Sequence, residues 1–128
     1  MTIKNLFSIA AVLDLLLGAA WILFPEAVLA MWGTTAADDM LIYISQRYAV
    51  LFLGYGVTLW LSRTAPPSTA RRALVVGGFI VCALMAVMSL KGVLTNTINA
   101  SGLLAFSIEA LLAAGFGYFL FVKREPTT

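Results

Sequence analysis

Four apolar stretches, each about as long as a bilayer is thick, constrain this chain more than any other feature. They cover roughly residues 6–24, 40–62, 72–90 and 103–122. A helix needs about 20 predominantly apolar residues to cross a hydrocarbon core. Backbone groups in lipid must be satisfied internally, so helices or a closed barrel are the available solutions. The stretches lack the period-two alternation of barrel strands. Composition agrees: of 128 residues, 62% are hydrophobic and only 11% charged, whereas a soluble domain is about half apolar and a quarter charged. A chain this short cannot bury that excess inside itself. The expected fold is all-α: a single integral membrane four-helix bundle spanning residues 1–128.

Basic residues set the expected orientation. Lys4, Arg63, Arg71, Arg72, Lys123 and Arg124 fall on one side of the four spans, while Glu26, Asp38 and Asp39 fall on the other, with Lys91 at a helix end. Both termini are therefore expected in the cytoplasm. Lys4 and the apolar run after it resemble a signal peptide, but the run is long enough to span and ends without a clean small-x-small site. A retained first helix is expected.

The connections are short. "SRTAPPSTARR" is a turn in which Pro66 and Pro67 cannot continue a helix. "KGVLTNTINASG" is a polar turn, with Asn96 and Asn99 suited to turn and cap positions. "PEAVLAMWG" reads as a short interfacial helix started by Pro25. Trp21, Trp32 and Trp60 fall near the expected interfaces, where indoles anchor at headgroup level.

Absent residues exclude several chemistries. The chain has no histidine and one cysteine, Cys82. Histidine-ligated haem, a Ser-His triad, an intrachain disulfide and a cysteine zinc cluster are all ruled out. Cys82, mid-span among apolar neighbours, reads as an inert packing thiol. A net charge of +2 without a basic arm or phosphate loop gives no footing for nucleic acid. No metal or cofactor is expected, and no catalysis of the chain's own.

What remains is a set of ionisable groups inside the spans. Asp14 sits near the middle of the first, Arg47 with Gln46 several residues inside the second, and Glu109 inside the fourth. A lone charge at the bilayer centre costs at least about 2.5–3.5 kcal/mol, and pairing is the usual remedy. Helical spacing puts Asp14 on a face with Phe7, Ala10 and Gly18. It puts Arg47 with Tyr43, Gly54 and Thr58, and Glu109 with Gly102, Ala105 and Ala113. The third span carries Gly78, Cys82, Ala86 and Ser89 on one stripe. Small residues at such spacing mark close helix contact in membranes, so each charge is expected to face inward, Arg47 pairing with Asp14, with Glu109 or with both. Loss of Arg47 should then cost more than loss of either acid. The cluster reads first as packing glue that fixes helix register, and second as a functional site.

"LFPEAVLAMWG" after the first span, "SQRYAVLFLGYGVTLWLSR" through the second, and the Pro/Ser-rich turn before "ARRAL" together carry a resemblance to a family of small four-helix bacterial membrane proteins similar to the DoxX-like group. The chain is also similar, more distantly, to four-span scaffold proteins of eukaryotic sterol biosynthesis. The resemblance implies a four-helix fold and a bacterial inner membrane, and brings no catalytic residues. Three functions fit. The first is an accessory, scaffold or assembly subunit, as a homo-oligomer or within a larger membrane complex. The second is an oligomeric proton- or ion-coupled transporter using Asp14, Arg47 and Glu109. The third is a lipid- or quinone-binding subunit.

Overall fold

In the computed structural model, which describes residues 1–123, every regular element is helical. α1 (Ile3–Leu23), α3 (Asp39–Ser62) and α4 (Thr69–Leu94) are long, α2 (Pro25–Met31) is short, and α5 (Gly102–Gly117) continues into a π-helical segment (Tyr118–Val122). Four of these helices, counting α5 with its extension, are long and apolar enough to cross a membrane. Arg124, part of the expected charge asymmetry, lies outside the described residues.

Local chemistry explains the boundaries. Thr2, Asp38 and Ser68 cap α1, α3 and α4, each side chain accepting from the backbone N–H three residues on. The Ser68 cap starts α4 before Arg72, and the helix runs on through Lys91. α4 is thus longer at both ends than its apolar run. Pro25 opens α2. Gly33 closes it at φ 98°: the Gly33 and Thr34 amides reach the Ala30 and Leu29 carbonyls, a Schellman ending that requires the left-handed conformation glycine adopts freely. Asn96 takes a left-handed turn position at φ 54°.

The bundle is built as two antiparallel pairs, α1 with α3 and α4 with α5. Backbone proximity sets the first pair. A Cβ at Gly18 would lie 3.0 Å from the Ala49 carbonyl oxygen, and one at Gly56 3.1 Å from that of Ala11. Small residues thus let α1 and α3 approach closely. In the second pair the Phe116 ring lies over Gly78, 2.7 Å from where a Cβ would sit.

The pairs meet mainly at the end of the bundle that holds the termini. Ile3, Leu6, Phe7, Ala10 and Ala11 of α1 cluster there with Leu59, Val75, Phe116 and Phe119. Tyr55 adds a polar link, its phenol donating to the Leu74 carbonyl at 2.9 Å. At the opposite end α2 supplies the connection: Ser101 Oγ donates to the Met31 carbonyl (2.6 Å) and the Asn99 amide to that of Trp32 (3.0 Å). Lys4, Arg63, Arg71, Arg72 and Lys123 all lie at the terminal end. There Arg71, buried, donates to the Ala65 carbonyl and so braces the proline turn. Arg63 donates to the Trp60 carbonyl and stacks over the Trp60 ring, 3.8 Å from its centroid.

Candidate functional site

The geometry separates the expected charge cluster into two places. Asp14 and Glu109 sit inside the bundle, half-buried, on opposite helix pairs. Asp14 projects toward α3, its Cβ 3.1 Å from where a Cβ at Gly56 would be. Glu109 accepts a hydrogen bond from Ser89, whose hydroxyl is 2.7 Å from Oε2. Tyr55 on α3 and Cys82 on α4 are half-buried in the same interior. Each spanning helix thus places polar groups inside the bundle: Asp14 on α1, Tyr55 on α3, Cys82 and Ser89 on α4, and Glu109 on α5. Phe7, Ala10, Gly18, Gly78, Ala86, Ser89, Gly102 and Ala113 are buried.

Arg47 is not among them, which corrects the expected pairing. Gln46 Nε2 donates to the Ile22 carbonyl at 3.1 Å, fixing the register of α3 against α1. Arg47 is thereby level with the last turn of α1, eight residues from Asp14 along that helix. At 1.5 Å per residue this is about 12 Å. Its direction is wrong for pairing as well. Arg47 is exposed, its guanidinium 3.4 Å from the Tyr43 hydroxyl and 5.8 Å from that ring's centroid. Helical side chains lean toward the N-terminus, so this contact carries the charge toward the α2 end of the bundle. Among the described residues no cation pairs with Asp14 or Glu109, and none donates to Asp14.

The whole stripe turns outward with Arg47. Tyr43 and Thr58 are exposed, and a Cβ at Gly54 would meet nothing within 4 Å. Thr58 satisfies its hydroxyl on the Gly54 carbonyl at 2.8 Å. The packed face of α3 is instead Ala49, Gly56 and Leu59. α3 has two faces with small residues, and the charge made the wrong one look internal. The face that α3 leaves free is thus polar at both ends and flat in the middle. α3 is also the least covered span: 11% of its most apolar window is buried, against 22–28% for the others.

Trp60 is 39% exposed at the terminal end, and Trp21 and Trp32 are half-buried toward the α2 end. Tyr55 and the donor role of Ser89 were not anticipated. A tyrosine far from either interface is the signal for the first; nothing in the sequence marks the second. No known protein family, curated protein or solved structure matches the chain.

This geometry removes the large cost of losing Arg47 that the sequence leads one to expect. Arg47→Ala should melt like the parent when purified alone, because the guanidinium holds nothing inside. Asp14→Asn should be neutral or stabilising, since it keeps the shape and removes a charge without a partner. Thermal unfolding in detergent tests both. A large loss for Arg47→Ala would restore the internal pair.

Proposed function

We propose that this protein is an accessory or assembly subunit of a larger membrane complex, and that α3 receives a transmembrane helix of a partner. The observation that carries this is the free face of α3, which joins Arg47 and Tyr43 to the uncovered Gly54 and the Thr58 hydroxyl. Lipid tails gain little from such a face. A helix gains close approach at Gly54 and polar contacts on either side. Two copies meeting symmetrically through this face would bring Arg47 toward Arg47, which favours a different chain carrying an acid at that depth. The separation of Arg47 from both carboxylates removes the counter-charge that a transport site built on all three would use.

The orientation that fits this reading puts both termini in the cytoplasm. Its basis is the gathering of Lys4, Arg63, Arg71, Arg72 and Lys123 at the terminal end and of Glu26, Asp38 and Asp39 at the other.

Photo-crosslinking in native membranes tests the proposal. A benzophenone residue at position 50, one turn before Gly54 on the same face, where Val50 is 57% exposed, should give one discrete heavier protein adduct. The same residue at position 111, where Leu111 is 73% exposed on α5, should give none. Equal adducts at both positions, or lipid adducts alone, would overturn the α3 assignment.

A further inference from the structure

An open pocket of about 330 Å³ lies at the end of α4 distant from the termini, bordered by Trp32, Met85, Met88, Lys91 and Ile98, with Ser89 in its wall. Its volume is at the lower end of the roughly 300–1,000 Å³ of ligand sites. We propose that it holds an anionic glycerophospholipid, with the phosphate at Lys91 and an acyl chain along Met85, Met88 and Ile98.

Three features carry the assignment. The Lys91 ammonium makes no hydrogen bond or ion pair among the described residues, so the pocket presents an uncommitted cation. The Trp32 indole N–H likewise has no partner among them, giving a second donor. The neighbouring hydroxyls are already used: Thr95 Oγ1 donates to the Lys91 carbonyl at 2.9 Å and contacts Thr97 Oγ1 at 2.8 Å, while Ser89 is committed to Glu109. The site is therefore positive at its rim and has little free polarity elsewhere.

The remainder of the lining is chiefly apolar and accessible from lipid. Met88 is 59% exposed on a helix long enough to span, and methionine adapts to flexible chains. A soluble phosphate would satisfy Lys91 and leave the methionine surface uncovered. A zwitterionic lipid would fill the pocket and place its own ammonium near that of Lys91. An anionic lipid satisfies both halves. Lysine at the end of a span meets headgroups in any case; what this site adds is a shaped, apolar recess directly beneath it.

Native mass spectrometry of the full chain in detergent, with added phosphatidylglycerol, phosphatidylcholine or glycerol 3-phosphate, tests this. Phosphatidylglycerol should be retained over phosphatidylcholine by about fivefold, the effect of one cation near a headgroup of net negative charge. Lys91→Gln should abolish that preference while sparing the weaker binding. Met88→Trp, which fills the recess from an exposed position, should reduce both lipids. Melting temperatures of the two variants should match the parent. Equal retention of the two lipids by the parent, or an unchanged preference in Lys91→Gln, would overturn the proposal. Binding of glycerol 3-phosphate as tight as the lipid would also overturn it, in favour of a soluble phosphate site.

Discussion

Replacing Gly56 with leucine should force α1 away from α3, whereas the same change at Gly54 should leave the stability of the isolated protein intact. At Gly56 a Cβ would lie 3.1 Å from the Ala11 carbonyl oxygen, 3.1 Å from the Asp14 Cβ and 3.0 Å from the Leu15 Cγ. The first two atoms are fixed by the α1 backbone, so the helix itself would have to move. Overpacking a rigid core costs about 1–3 kcal/mol, and a full leucine belongs at the upper end of that range. At Gly54 nothing stands within 4 Å, and removing a mid-helix glycine gains up to about 1 kcal/mol. Gly54→Leu should nonetheless lose the partner proposed for α3, because the close approach is blocked. Unfolding in detergent, read beside co-purification from native membranes, separates the two effects. Destabilisation by Gly54→Leu equal to that by Gly56→Leu would mean that the free face of α3 is packed in the monomer.

Phe116→Ala should be the second severe change, because it acts where the two helix pairs join. Phe116 is fully buried, stacks obliquely on Phe7 with centroids 6.2 Å apart, and covers Gly78. Truncating a buried phenylalanine costs about 3–5 kcal/mol in water-soluble cores. The lower end applies here, because lipid already solvates the ring once the helices separate. Phe7→Ala should remove part of the same contact, so the double variant should lose less than the sum of the singles. Leu111→Ala, at a position 73% exposed to lipid, should not change the melting temperature. A similar drop at both positions would show that the pairs are not held together by the Phe7–Phe116 contact.

The spans were legible because apolar length alone decides them, and the short helix after the first span because Pro25 and Gly33 bracket it. The depth of Asp14 and Glu109 was legible for the same reason, since counting along a helix gives depth directly. The facing of Arg47 was not. α3 carries small residues on two sides, Ala49 with Gly56 and Gly54 with Thr58, and periodicity does not say which side meets α1. The deciding contact, Gln46 to the Ile22 carbonyl, depends on tertiary register. The Ser89–Glu109 bond was hidden likewise, because two residues twenty apart become neighbours only when α4 and α5 pack. Charge suggested that Arg47 must be internal, yet a long cationic side chain near a helix end can reach outward instead.

The division into two pairs also bears on how the protein is made. α1 and α3 are separated in the chain only by α2, and α4 and α5 only by a turn. Each pair is therefore local in sequence, and each can close as soon as its second helix leaves the ribosome, without waiting for distant partners. The step left for the end is the meeting of two finished hairpins. At the far end of the bundle, that step draws on bonds from Ser101 and Asn99 to the end of α2. Those bonds form only once the turn between α4 and α5 has been made. On this sequence of events a chain stopped after α3 would already hold its closed first hairpin and its free α3 face, ready to meet a partner before synthesis is complete.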